Sequence, residues 1–329
     1  MAEGAKGSVP LVREVRSGVE ESVHEGDVAV VDAGGTLVAW AGDPHRVAFA
    51  RSSMKPLQAA VSLSLAGLEL PDPEVAVMCA SHNGEPIHVQ TVRSILATVG
   101  LDESSLRCPP SRPMDPESAA ADAQKRSIYS DCSGKHSGML AACLAQGWDL
   151  PSYRDADHPL QQAILGSVLT ASRQTEVPTG VDGCGVVVHA MPLANMAGIY
   201  ARLSRPEAIA DLAPFVARCI EAMRAEPYLV AGRNRVDTAV MQTVDGVVVK
   251  SGAEGMICAS LVEPGLGIAV KVRDGGHRAA GPALIHVLGE LGALAGDQRD
   301  RLARYATPPV MGGGEPVGEV RADFALERA

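Results

Sequence analysis

The chain has 329 residues, of which 46% are hydrophobic, and a formal net charge of −10. That apolar content and length supply a sizeable core and exclude global disorder. The acidic balance, with no basic run, excludes nucleic acid or an anionic membrane as a partner.

Aromatic residues are scarce, at 3%, so the core is expected to be aliphatic. No run approaches the eighteen or so apolar residues of a membrane helix. Met1 to Pro10 holds no apolar segment of leader length, so a cytoplasmic location is expected. The chain reads as a single domain over 1–329, with a sheet region drawn from both chain ends and a helical region over roughly 85–225.

In chain order, Asp27 to Val31 and Thr36 to Trp40 flank Ala33-Gly34-Gly35, which predicts a hairpin. Residues Asp32 to Thr36 also resemble the phosphate loop of actin-like sugar kinases. No second phosphate motif accompanies them, and a plain glycine turn explains them. A buried helix is predicted from Ser52 to about Ala66. Another follows Pro86, with Val89, Val92, Leu96 and Val99 on one stripe. Further helices are predicted from His136 to Gln146 and from Pro159 to Ser172. Then come a strand over 185–188, helical segments over 190–204 and 206–225, and strands over 246–250 and 267–272. A helix from Arg278 to Leu294 and a terminal strand around 317–320 complete the reading.

The seven cysteines, at 79, 108, 132, 143, 184, 219 and 258, are odd in number and lack close pairs. Free thiols are expected, with Cys143 and Cys219 as buried packing residues on helices.

Five blocks bunch reactive side chains near turns. In Arg51-Ser52-Ser53-Met54-Lys55-Pro56, a serine sits three residues ahead of a lysine, and on a helix such residues are neighbours. A lysine with a lowered pKa can take the serine proton. Serine β-lactamases and penicillin-binding proteins use the same Ser-x-x-Lys spacing, and an N-cap serine beside a solvated lysine gives it equally. In Cys79-Ala80-Ser81-His82-Asn83-Gly84-Glu85, Ser81 and His82 precede a helix, where capping is the plain alternative. Asp131-Cys132-Ser133-Gly134-Lys135-His136 puts a cysteine at a helix start, which favours the thiolate. In Asp182-Gly183-Cys184-Gly185, two glycines leave room for close approach to a cysteine. Two cysteines in separate loops are a poor zinc signal compared with paired Cys-x-x-Cys knuckles. The last block runs from Lys250-Ser251-Gly252-Ala253-Glu254-Gly255 through Cys258 to Lys271. Lys271 lies on an apolar strand that would depress its pKa, or it forms a cross-strand ion pair.

Together these blocks resemble the rhizobial-type L-asparaginases, the asparaginase II family, over nearly the whole chain. The resemblance implies an α+β fold of the serine β-lactamase and penicillin-binding-protein kind, an antiparallel sheet packed against helices with a mostly helical second region. It implies two serine–lysine pairs, Ser52 with Lys55 and Ser81 with Lys271, although Lys250 on the neighbouring strand rivals Lys271. It implies a zinc ion held by Cys132, Lys135 and Cys184, with water completing the shell. Arg51, His136, Asp182 and Cys258 would line or support the pocket, and the family likeness suggests a homodimer.

The expected activity is hydrolysis of L-asparagine to L-aspartate and ammonia, with Ser52 as nucleophile and neutral Lys55 as its base. The alternatives are a glutaminase or another amidohydrolase of the same fold, and a non-catalytic metal- or amino-acid-binding protein.

Overall fold

The computed structural model describes residues 7–329. The first six residues of the Met1–Pro10 segment, read above as leaderless, lie outside the described residues. The chain resolves into two units. One runs to Ser53 and takes in Met191–Ser204 and Ala239–Ala329; the other comprises Met54–Ala190 and Arg205–Thr238.

The first unit is built on an antiparallel sheet of nine strands among the described residues, drawn from both ends of the chain. Its longest strand, Val19–Asp32, pairs along one edge with Val9–Arg16 and then with Leu37–Ala41. Its other edge pairs with Leu266–Val272, followed outward by Met256–Leu261 and Val247–Ser251. The predicted hairpin is present. Asp32 closes it by accepting from Gly35 N and, through its side chain, from Thr36 N. The helices Leu193–Leu203 and His277–Glu290 pack on this sheet. They explain the unbroken burial of Val28 to Val31, since a strand covered on both faces has no reason to alternate. The first of these helices lies so close that a Cβ on Gly267 would collide with the backbone at Ala197 and Ala201.

The second unit is mostly helical. Helix Ser133–Gln146 packs against Lys55–Ala66, Asp72–Met78, Pro86–Thr98 and Pro159–Ser172. A Cβ on Gly134 would collide with the Val77 carbonyl, so glycine alone permits this approach there, and one on Gly138 would push on the Met78 side chain. The class is therefore α+β, as expected, and the core is aliphatic. All seven cysteines are free and buried, Cys143 and Cys219 included. No helix among the described residues is long and apolar enough to cross a membrane.

Local boundaries moved for identifiable reasons. The helix expected from Ser52 begins at Lys55, after a 3-10 turn over Arg51–Met54, and Pro56 sits in its first turn, where a missing N–H costs nothing. The strand expected over 185–188 is Val187–Pro192, because Asp182 to Val186 form a tight turn with Gly185 at φ 85°. The segment over 206–225 is a 3-10 stretch and then helix Ala213–Ala225, broken at Ala210, where φ is 44°. The helix expected to reach Leu294 ends at Glu290, with Gly292 at φ 73°, and a second helix follows over Gly296–Ala306.

Candidate active site

In the second unit, Lys55 opens its helix fully buried. Its Nζ donates to Ala80 O at 2.7 Å, Ser81 Oγ at 2.9 Å and Asp131 O at 3.2 Å, with Asp131 Oδ2 at 3.6 Å. Burial alone would lower the pKa of this amine. Cys132, Asp131 and Cys184 together outweigh burial and raise it, so the resting group is an ammonium. Three-residue spacing relates Lys55 to Ser52, but the serine hydroxyl on its amine within this unit is that of Ser81. A contact of 2.9 Å serves proton transfer in either direction, from ammonium to Oγ or from Oγ–H to a neutral amine.

Beside this pair lie Cys132, Lys135, His136 and Cys184, all buried. Cys132 caps helix Ser133–Gln146, where a thiolate was expected, yet Cys132 keeps the proton. The two thiols share it. Cys184 accepts from Cys132 and faces Lys135, whose Nζ is 3.3 Å from Cys184 Sγ, so the negative charge settles on Cys184. Burial pushes Lys135 down, but Cys184, Cys132 and Asp182 together raise its pKa. The His136 Nδ1 is hydrogen-bonded to the Tyr153 hydroxyl, and the ring also hydrogen-bonds Cys184, which opposes the lowering of its pKa by burial.

Two thiols sharing a proton and a buried amine are donors that suit a zinc ion. Among the described residues no three His, Cys, Asp or Glu side chains gather closely enough to hold a metal by themselves. A cation here would therefore draw on the lysine amine as a third ligand. Asp182, half-buried, braces the Cys184 turn by accepting from Gly183 N and Gly185 N.

The Ser81 to Glu85 block is anchored rather than loose. Ser81 N and Asn83 N donate to Val230 O and Ala231 O, each at 2.9 Å. The His82 Nδ1 accepts from Gly84 N, so its Nε2–H donates to Ser133 Oγ at 3.0 Å. Burial holds His82 neutral, and likewise lowers His88 and brings His189 to about 4. Unfolded histidines bind protons below about 6.5, while these three refuse them when folded. Stability contributed at neutral pH is therefore lost as pH falls below that value, at up to about 1.4 kcal/mol per pH unit for each histidine. Urea midpoints at pH 7.5 and 5 should show a marked drop at the lower pH, and equal midpoints would refute the buried neutral state.

In the first unit, Arg51 has φ 51°, a left-handed conformation costly for a residue with a side chain, and this sets up the turn that presents Ser52. Ser52 is half-buried. The Lys250 to Gly252 block passes this turn closely, since a Cβ on Gly252 would lie 3.1 Å from Ala50 O and 3.3 Å from Arg51 Cβ. Lys250 is fully buried and donates to Ser251 O at 2.6 Å. Cys258 faces it across the strand pair, and burial pushes the Cys258 thiol up to about 12, with Ser53 and Lys250 opposing. Lys271 is half-buried, donates to Glu254 O at 2.5 Å and Val272 O at 2.6 Å, and has a pKa lowered mainly by burial. Arg51 lies 4.0 Å from Glu254.

Two neighbours of these groups carried no sequence signal. They are Tyr153, which fixes His136, and Arg235, whose Nη1 reaches Ser81 O at 3.4 Å. Each arrives from a segment without a motif. Asp131 lay inside the Cys132 block, but its contact with Lys55 was not foreseen.

A lysine and a serine hydroxyl in a dry setting, next to thiols and a second lysine, are the equipment of an acyl-transfer enzyme. The L-asparaginase II family profile matches residues 12–322, and the chain belongs to that family; it is an amidohydrolase. Comparison with curated proteins returned no match. Among solved structures, a Mycobacterium bovis β-lactamase is 18% identical, covering 82% of this chain and 95% of its own, with a TM-score of 0.41. A probable glutaminase from Bacillus subtilis, complexed with 6-diazo-5-oxo-L-norleucine, is 14% identical over 82% of this chain and 84% of its own (TM-score 0.36). An octameric penicillin-binding protein homologue from Pyrococcus abyssi is 16% identical over 80% and 73% (TM-score 0.40). Likeness at this level carries no argument about activity, and the α+β class stands on the chain's own sheet and helices.

Proposed function

We propose that the protein is an L-asparaginase, hydrolysing the side-chain amide of L-asparagine to L-aspartate and ammonia through a serine and a lysine. The observation that supports this most is the buried contact of 2.9 Å between Lys55 Nζ and Ser81 Oγ in a chain of this family. Ser52, placed by the Ser-x-x-Lys spacing, attacks the carboxamide carbon, and its proton passes to neutral Lys55. Backbone N–H groups, that of Ser52 among them, meet the oxyanion. The C–N bond breaks as the ammonium returns its proton, by way of Ser81, to the leaving ammonia. Water then attacks the β-aspartyl ester, gives its proton to Lys55, and frees Ser52. In this scheme Lys55 serves Ser81 in the role the family resemblance gave to Lys271.

Cys132, Lys135 and Cys184 would hold zinc. A bound zinc ion would supply positive charge that cancels the thiolate, the charge that otherwise favours protonated Lys55.

The test is ammonia release from L-asparagine and L-glutamine, alongside hydrolysis of a chromogenic β-lactam. Asparagine should be the preferred substrate. Ser52→Ala should lower kcat by about 10³-fold or more and Ser81→Ala by about 10²-fold, both with unchanged circular dichroism. An unimpaired Ser52→Ala enzyme would overturn the nucleophile assignment.

A further inference from the structure

Several arginines in the second unit are spent on carboxylates. Arg233 holds Glu117 at 2.6 Å, Arg218 holds Asp72, and Arg126 holds Glu103. Arg235 is different. Its Nη1 donates to Asn83 Oδ1 at 3.0 Å and Ser81 O at 3.4 Å, both neutral oxygens. Among the described residues no carboxylate lies within ion-pair distance of it.

The side chain is half-buried, so it is neither dispersed in solvent nor neutralised. It is also aimed. Asn83 Nδ2 is committed to Arg233 O at 2.9 Å and Glu85 Oε1 at 3.3 Å, which leaves Asn83 Oδ1 facing Arg235. Glu85 is fixed in turn by the Tyr228 hydroxyl and by Arg233 N at 2.9 Å. A guanidinium has five N–H donors, and the two contacts of Arg235 both fall on Nη1, leaving Nε and Nη2 uncommitted.

We propose that Arg235 is the specificity-determining residue that binds the α-carboxylate of an amino-acid amide substrate. This rests on the amidase reading above. The cation is held at the backbone of the residue whose hydroxyl meets Lys55, and in L-asparagine the α-carboxylate lies only three bonds from the amide carbon. A guanidinium fork receives a carboxylate in two parallel hydrogen bonds, which a neutral α-substituent does not reproduce.

The experiment compares kcat/KM for L-asparagine and for its α-carboxamide, in the wild type, Arg235→Lys and Arg235→Ala. The wild type should prefer the free carboxylate by about 100-fold. Arg235→Ala should bring the two substrates within a few-fold, chiefly by raising KM for asparagine. Arg235→Lys should fall between, and added guanidinium ion should restore part of the preference in Arg235→Ala. An unchanged preference in a folded Arg235→Ala enzyme overturns the proposal. Titration calorimetry with L-aspartate provides a readout independent of turnover. Affinity should fall at least about 50-fold in Arg235→Ala, and equal affinity also overturns the proposal. If neither amide is hydrolysed while aspartate affinity depends on Arg235, the amidase reading fails and the carboxylate site stands.

Discussion

Lys55→Met is expected to lower kcat for ammonia release by at least about 10³-fold, because it removes the group proposed to move the serine proton. The substitution also leaves Ala80 O and Asp131 O without their buried donor. Each uncompensated acceptor costs about 1–3 kcal/mol. Assays must therefore be run well below the melting temperature of the variant, with urea denaturation alongside to separate lost chemistry from lost fold.

The pH dependence supplies a second mark. The pKa of Lys55 is raised, so its neutral form grows as pH increases, and wild-type kcat should climb toward alkaline pH. Residual activity in the variant should be flat over the same range. For stability the sign is opposite. A lysine whose folded pKa exceeds its unfolded value of about 10.5 contributes fully below that value. Its contribution is lost as pH rises through the folded value, so the wild-type advantage should persist through neutrality and close only in strong alkali. A Lys55→Met enzyme with near-normal turnover would remove Lys55 from the mechanism.

Elemental analysis of the purified wild type is expected to find about one zinc per chain, and Cys184→Ser none. Cys184 already carries the charge of the thiol pair and Lys135 lies 3.3 Å from its sulfur, so removing this one atom dismantles the donor set. Ligand binding to the folded state alone is worth about 4 kcal/mol at a thousand times the dissociation constant. The melting temperature should then fall by about 10 °C, and chelator-treated wild type should melt like the variant. Zinc-free wild type, indifferent to chelator, would remove the metal from the assignment.

Much of the architecture was legible because short-range physics decided it. The Ala33-Gly34-Gly35 turn could only be a hairpin once flanked by valine-rich strands. The helix Pro159–Ser172 was bounded by its own proline start and fell where expected. The strand Met256–Leu261 was not foreseen, since all six residues are buried and no alternation marks it. The short helix Asp72–Met78 hid in an apolar run for the same reason.

At the candidate site, the reactive blocks were visible as clusters of unusual residues, but their pairing was not. Three-residue spacing describes one turn of one helix. The hydrogen bond from Lys55 to Ser81 spans 26 positions and depends on how the Cys79 to Glu85 segment is pinned to Val230 and Ala231. Nor could spacing reveal that Cys184, rather than the helix-capping Cys132, bears the charge. That follows from which sulfur faces Lys135.

The interlocking of helices Ser133–Gln146 and Asp72–Met78 at Gly134 and Gly138 divides freedom to mutate unevenly within the second unit. Two faces of one short segment answer to different masters: one side admits no side chain larger than hydrogen at Gly134, and the other presents Lys135 and His136. Drift in substrate preference has little room there, and any laboratory evolution of new amide selectivity would do better to diversify the stretch from Tyr228 to Arg235.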